Sequence, residues 1–141
     1  MLVSLVAVIV GLFVTFAVAK RQIVSPIRQK WIDELRELMS ELISECQRAI
    51  ILGENRGLLN EEKTDEALFR KLLYLEQKLK LMLNPNEDKH IELMKIVRDI
   101  TDAAHHGIGD LIGFGICVDH ATQVTQTILK SEWVRVKSGK V

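Results

Sequence analysis

The first nineteen residues, MLVSLVAVIVGLFVTFAVA, carry no charged side chain, so all 19 Lys and Arg and all 19 Asp and Glu fall in residues 20–141. As a helix rising 1.5 Å per residue this stretch reaches about 28 Å, close to the roughly 30 Å hydrocarbon core of a bilayer. Ala17-Val18-Ala19 has the small-x-small form of a signal-peptide cleavage site,. However, no Lys or Arg precedes the apolar run, whereas Lys20, Arg21, Arg28 and Lys30 follow it. The positive-inside rule then predicts an uncleaved signal anchor, with the N-terminus outside and the body cytoplasmic. A buried core helix is the weakest reading, because the remainder would have to wrap an all-round apolar rod. The expected organisation is a transmembrane helix over residues 1–19, a juxtamembrane basic linker over 20–26 and a cytoplasmic helical domain over 27–141. At 141 residues the chain has room for one domain,. Its zero net charge argues against a duplex nucleic-acid binder, which needs a basic excess to replace counterions,.

Beyond the linker the apolar period is helical. Ile27, Trp31, Leu35, Leu38, Leu42, Cys46 and Ala49 recur by threes and fours after a Ser25-Pro26 start,. That dipeptide also predicts a hinge, since Pro disfavours helix at the residue before it. A second helix carries Leu68, Leu72, Leu75, Leu79 and Leu83. Asn84-Pro85-Asn86-Glu87 then reads as a sharp turn, with Asn84 as cap and Pro85 at the first helical position of a third helix. The inward set of that helix is expected to be Ile91, Met94, Val97, Ile100 and Ala104. A glycine-rich stretch over residues 105–117 precedes a final helix over residues 119–137. It reads as a loop or a closely packed helix start; a membrane-dipping segment and a phosphate loop are the other readings, the last lacking the strand and lysine it needs. Almost nothing alternates with period two. The predicted fold is all-α, a transmembrane helix followed by an antiparallel helical bundle of about four helices.

Chemistry is sparse. His105, His106 and His120, with Asp102, Asp110 and Cys117 nearby, are the one group of metal-ligand residue types, but no HExxH or paired Glu-x-x-His pattern frames them,. Cys46 sits on an apolar stripe, where a buried inert thiol is expected. With two distant Cys there is no disulfide framework and no CxxC zinc site,. No catalysis and no cofactor are expected. If the helices run up-down-up-down, Trp31 and Trp133 fall at one end of the bundle amid Arg28, Lys30, Lys130, Arg135 and Lys137. Such a group suits either a lipid interface or a solvated basic rim. Gly109 and Gly113 have the four-residue spacing of small-residue helix contacts.

Three patches, Arg28-Gln-Lys-Trp31-Ile32-Asp-Glu-Leu35-Arg36, Leu81-Met-Leu83-Asn84-Pro85-Asn-Glu87-Asp-Lys-His90 and Ile128-Leu129-Lys130-Ser-Glu132-Trp133-Val-Arg135-Val-Lys137, follow the apolar N-terminus in order. Together they resemble a group of small uncharacterised bacterial or phage single-span membrane proteins. The glycine-rich stretch is not part of that pattern. The resemblance implies a bacterial inner-membrane protein with a cytoplasmic helical domain, and it supplies no catalytic residue. It marks Trp31, Arg36, Asn84, Pro85, His90 and Trp133 as structural or contact positions. The functional expectation is a membrane-anchored interaction or scaffold protein. Its partners would be the lipid bilayer, further copies of itself and an unidentified membrane protein, and its contact residues would include Arg28, Trp31, Lys130, Trp133, Arg135, Gly109 and Gly113. A homo-oligomeric channel and a metal-dependent enzyme using His105, His106 and His120 are the alternatives.

Overall fold

The computed structural model describes residues 2–54, 62–106 and 111–138; the side chains at 2–9, 13, 16, 17, 19–21, 53, 54, 62–65, 106 and 111 are outside that description. Among the described residues the chain is all-α, with helices α1 (Leu2–Glu54), α2 (Glu62–Met82), α3 (Asp88–His106) and α4 (Leu111–Ser138) and no strand. Ion pairs fix their order. Lys78 meets Glu34 at 3.1 Å and Lys71 meets Glu41 at 3.0 Å, so α2 runs antiparallel to α1. Glu92 meets His120 at 3.1 Å and Glu87 meets Arg135 at 3.4 Å, which sets α4 antiparallel to α3. Arg28 reaches Glu132 at 3.7 Å and closes the ring between α1 and α4.

The core is the seam where the four apolar stripes meet. Leu35, Leu42, Cys46, Leu79, Leu93, Val97, Ile100 and Ala121 are wholly buried there. The α2 stripe is the one the sequence predicts, with Leu68, Leu72, Leu75, Leu79 and Leu83 all inward. The other two stripes are inward as read along most of their length, through Leu35, Leu38, Leu42 and Cys46 on α1 and Val97, Ile100 and Ala104 on α3, and differ at their starts. On α1, Ile27 is exposed while Ile32, Met39 and Ile50 are buried. On α3, Ile91 is exposed and His90 takes the inward place one residue earlier. In both cases the stripe follows the position of the neighbouring helices, which a single helix's sequence does not encode.

The expectation of a transmembrane signal anchor over residues 1–19, and with it a single-pass membrane protein of the bacterial inner membrane with a cytoplasmic body, is corrected. Among the described residues no helix is long and apolar enough to cross a membrane. A span needs about 18 or more consecutive apolar residues. The described side chains of α1 offer no such run: much of the 1–19 stretch lies outside them, and polar and charged residues recur from Gln22 onward. The hinge at Ser25-Pro26 is corrected too, because α1 is a single helix of 53 residues that passes through Pro26. Proline removes one N–H from the ladder. Pro26 is exposed, so solvent can satisfy the carbonyl it strands,. The last helix begins at Leu111 rather than 119, so Gly113 and Gly115 lie inside it, and residues 107–110 are outside the described residues.

Register gives α1 an overhang. With Arg28 opposite Glu132, and equal rise on both helices, Ser138 falls opposite about residue 22 of α1,. The part of α1 before that point extends past the end of α4. Within it Val10, Leu12, Val14 and Val18 are exposed, and the Thr15 hydroxyl donates to the Gly11 carbonyl at 2.8 Å. Truncating the wholly buried Leu42 to Ala should cost about 2–5 kcal/mol of unfolding free energy,. Leu81→Ala, at a side chain 88% exposed, should stay within about 0.5 kcal/mol of wild type,. Urea denaturation of the two variants tests the orientation of the stripes.

Candidate functional site

The α2–α3 turn gathers the polar groups of the chain into one junction. α2 closes with the Leu83 N–H on the Leu79 carbonyl at 3.0 Å. The chain then turns through Asn84, whose side-chain oxygen accepts the Asn86 N–H at 3.0 Å and whose amide donates to Glu87 at 3.2 Å. The Glu87 carbonyl accepts the N–H groups of His90 and Ile91 at 2.9 and 3.0 Å. Glu87 therefore caps α3. Asn84 ties the turn, and Pro85 lies within it rather than at the first helical position.

His90 is the centre of this junction. Its ring is buried, and Nδ1 accepts the Asn84 N–H at 2.8 Å. Its Nε2 lies 3.7 Å from a Glu87 oxygen. The Trp31 ring stacks on the imidazole with centroids 6.0 Å apart, and its indole N–H donates to the Met82 carbonyl at 3.3 Å. Trp31 is thus a half-buried packing group that ties α1 to the end of α2.

A charged lattice surrounds this pair. Glu132 is 8% exposed and takes Arg28 on one side and a hydrogen bond from Arg135 on the other. Arg135 reaches on to Glu87 at 3.4 Å. Burial acts to raise the Glu87 pKa, but the Asn84 amide, His90 and Arg135 outweigh it and hold the carboxyl below its ordinary value. Glu132, first, and then Glu87 hold the Arg135 guanidinium more firmly charged.

The junction joins all three patches singled out in the sequence: Arg28 and Trp31, then Asn84, Glu87 and His90, then Glu132 and Arg135. Trp133 stands beside it, 42% exposed, with the Lys137 ammonium 5.2 Å from its ring centroid. Lys130 is exposed on the same stretch of α4. Arg36 is outside the group and pairs with Asp33 at 2.9 Å. Gly113 lies near the opposite end of α4, half-buried, and Gly109 is outside the described residues. A Cβ on Gly115 would meet nothing within 4 Å, so among the described residues no helix approaches closely there.

Glu87 and Glu132 lie within the quoted patches, but what each carboxylate pairs with is set by partners on other helices, which no single patch shows. His90 had a signal, since it stands three residues before Leu93 on the α3 stripe.

The histidines considered as metal ligands do not converge. His105 tilts over Phe69 with centroids 3.5 Å apart, His120 pairs with Glu92, and the His106 side chain is outside the described residues. Among the described residues no group of three or more His, Cys, Asp and Glu could hold a metal ion. The Cys46 thiol is pushed up to about 12 by burial and then by Glu45, so it stays a thiol. No known family, no curated protein and no solved structure matches this chain.

Removing the shared carboxylate leaves two cations facing each other. Glu132→Ala should destabilise the bundle by about 1–2 kcal/mol, less than a fully buried pair because Arg135 is 44% exposed,. Thermal unfolding of the variant measures it. Glu87 sets a pH dependence of known sign. Its carboxyl titrates lower when folded, so its contribution is complete above its unfolded value of 4.5 and is lost as pH falls through the folded value,. Wild type should therefore lose more stability than Glu87→Gln as pH falls below 4.5.

Proposed function

We propose that this chain is a non-catalytic helical interaction module that associates with further copies of itself, the contact being made by the part of α1 that extends past α4. The reading rests on one observation. Val10, Leu12, Val14 and Val18 are 49–66% exposed on consecutive turns of a helix that no other described element covers. Contiguous exposed apolar surface on a folded protein marks an interaction site. The core of the bundle is built from other side chains, among them Leu35, Leu42, Leu79 and Leu93, all at 0% exposure. The uncovered stretch is therefore set apart from a core that is already closed. Self-association is favoured over a charged partner because no Lys, Arg, Asp or Glu occurs in residues 1–19. His90, the buried histidine among the described residues, has a backbone N–H, a carboxylate and an indole as its partners.

Sedimentation of the full chain over a range of concentrations should show a reversible oligomer. Val14→Asp combined with Val18→Asp should weaken it by about tenfold or more, equivalent to about 1.4 kcal/mol. The unfolding midpoint of the bundle should not move, since both side chains lie outside its core. A wild-type chain that sediments as a monomer throughout would end this reading.

A further inference from the structure

An open groove of about 260 Å³ lies between the last turns of α2 and the first half of α3. Leu83, Ile91 and Met94 give it an apolar lining, and Lys80, Lys95 and Arg98 add cations. No carboxylate lines it. Elsewhere on these helices cations are neutralised: Lys71, Lys78 and Lys89 each lie within 3.1 Å of a glutamate. Arg98 leans towards Glu76 at 3.9 Å. Lys80 and Lys95 have no carboxylate partner among the described residues, and both are exposed. Ile91, 52% exposed, lines the same groove. Apolar floor and unmatched cations therefore coincide at one seam.

From this we infer that the groove docks an acidic amphipathic segment of a partner protein. An apolar side chain of that segment rests on Leu83, Ile91 and Met94, and carboxylates on either side meet Lys80 and Lys95. Size favours a peptide anchor over a small-molecule ligand. Pockets that enclose drug-sized molecules hold roughly 300–1,000 Å³ and bury most of the ligand, whereas this groove is smaller and open. Amphipathic segments laid in grooves between helices use a few apolar anchors in this way, and the charges set partner choice and association rate. The groove is lined by residues of α2, α3 and the turn between them and shares none with the uncovered part of α1, so the inference stands whether or not copies of the chain associate.

The test uses the full chain with isotope-labelled methionine methyls and three probes: a short fluorescent peptide of Glu and Leu pairs at helical spacing, its counterpart with Lys for Glu, and decanoate. The Glu peptide should bind, shift the Met94 methyl resonance and weaken as salt is added. Lys80→Glu with Lys95→Glu should reduce that binding by about tenfold or more and favour the Lys peptide instead. Both lysines are exposed, so the unfolding midpoint should be unchanged, and the Met94 signal of the free variant confirms an intact groove. The inference is overturned by absence of Glu-peptide binding, by equal binding of both peptides, by indifference to the double charge reversal, or by a Met94 shift with decanoate alone.

Discussion

The lower end of the bundle depends on one hydrogen bond, from the Asn84 N–H to Nδ1 of His90. A backbone N–H at a tight turn next to a core needs a partner, because burying it unpaired costs free energy comparable to a lost hydrogen bond. The imidazole supplies the acceptor and at the same time offers a flat face to Trp31. Through Trp31 the turn is coupled to α1, and through Glu87 it is coupled to Arg135 on α4. Four helices are thus indexed against one ring. A leucine at this place would pack, but it would leave the turn amide unpaired and Trp31 without its stacking partner.

Charge reinforces the same register. Lys71 bridges Glu41 and Glu45, and Lys78 holds Glu34, so α1 and α2 are matched at two heights. Arg28, Glu132 and Arg135 match α1 to α4 and Glu92 with His120 matches α3 to α4. Most of these pairs are exposed enough to contribute little stability individually. Their effect is on alignment. A slip of one helical turn would part Lys78 from Glu34 and set it opposite Leu38 or Lys30,.

What could be read in the sequence follows from how local each signal is. The α2 stripe from Leu68 to Leu83 is a strong single-helix pattern, and it is inward as read. At the start of the α3 stripe the pattern points to Ile91, since isoleucine outranks histidine on any hydrophobic scale, yet the core accepts His90 once Asn84 and Glu87 supply polar partners. Pro26 reads as a break by its own chemistry, and only its exposed position lets α1 continue. The three patches were visible as contact positions. That they meet was not, since Glu132 gains its role from Arg28 on the first helix and Arg135 one turn away. By length and composition the apolar start reads as a span, and the described residues give no helix that qualifies.

The continuity of α1 through Pro26 gives the molecule a mechanical property. The uncovered stretch and the core segment that begins at Ile32 belong to one helix, with no loop between them to absorb rotation. Twisting or tilting that stretch therefore turns the α1 face carrying Trp31, Ile32 and Leu35 by a similar angle. Beyond the proline such a torque reaches the Arg28–Glu132 pair and then the stacking of Trp31 on His90, about five residues on. The arm acts as a lever whose short end presses on the α2–α3 turn.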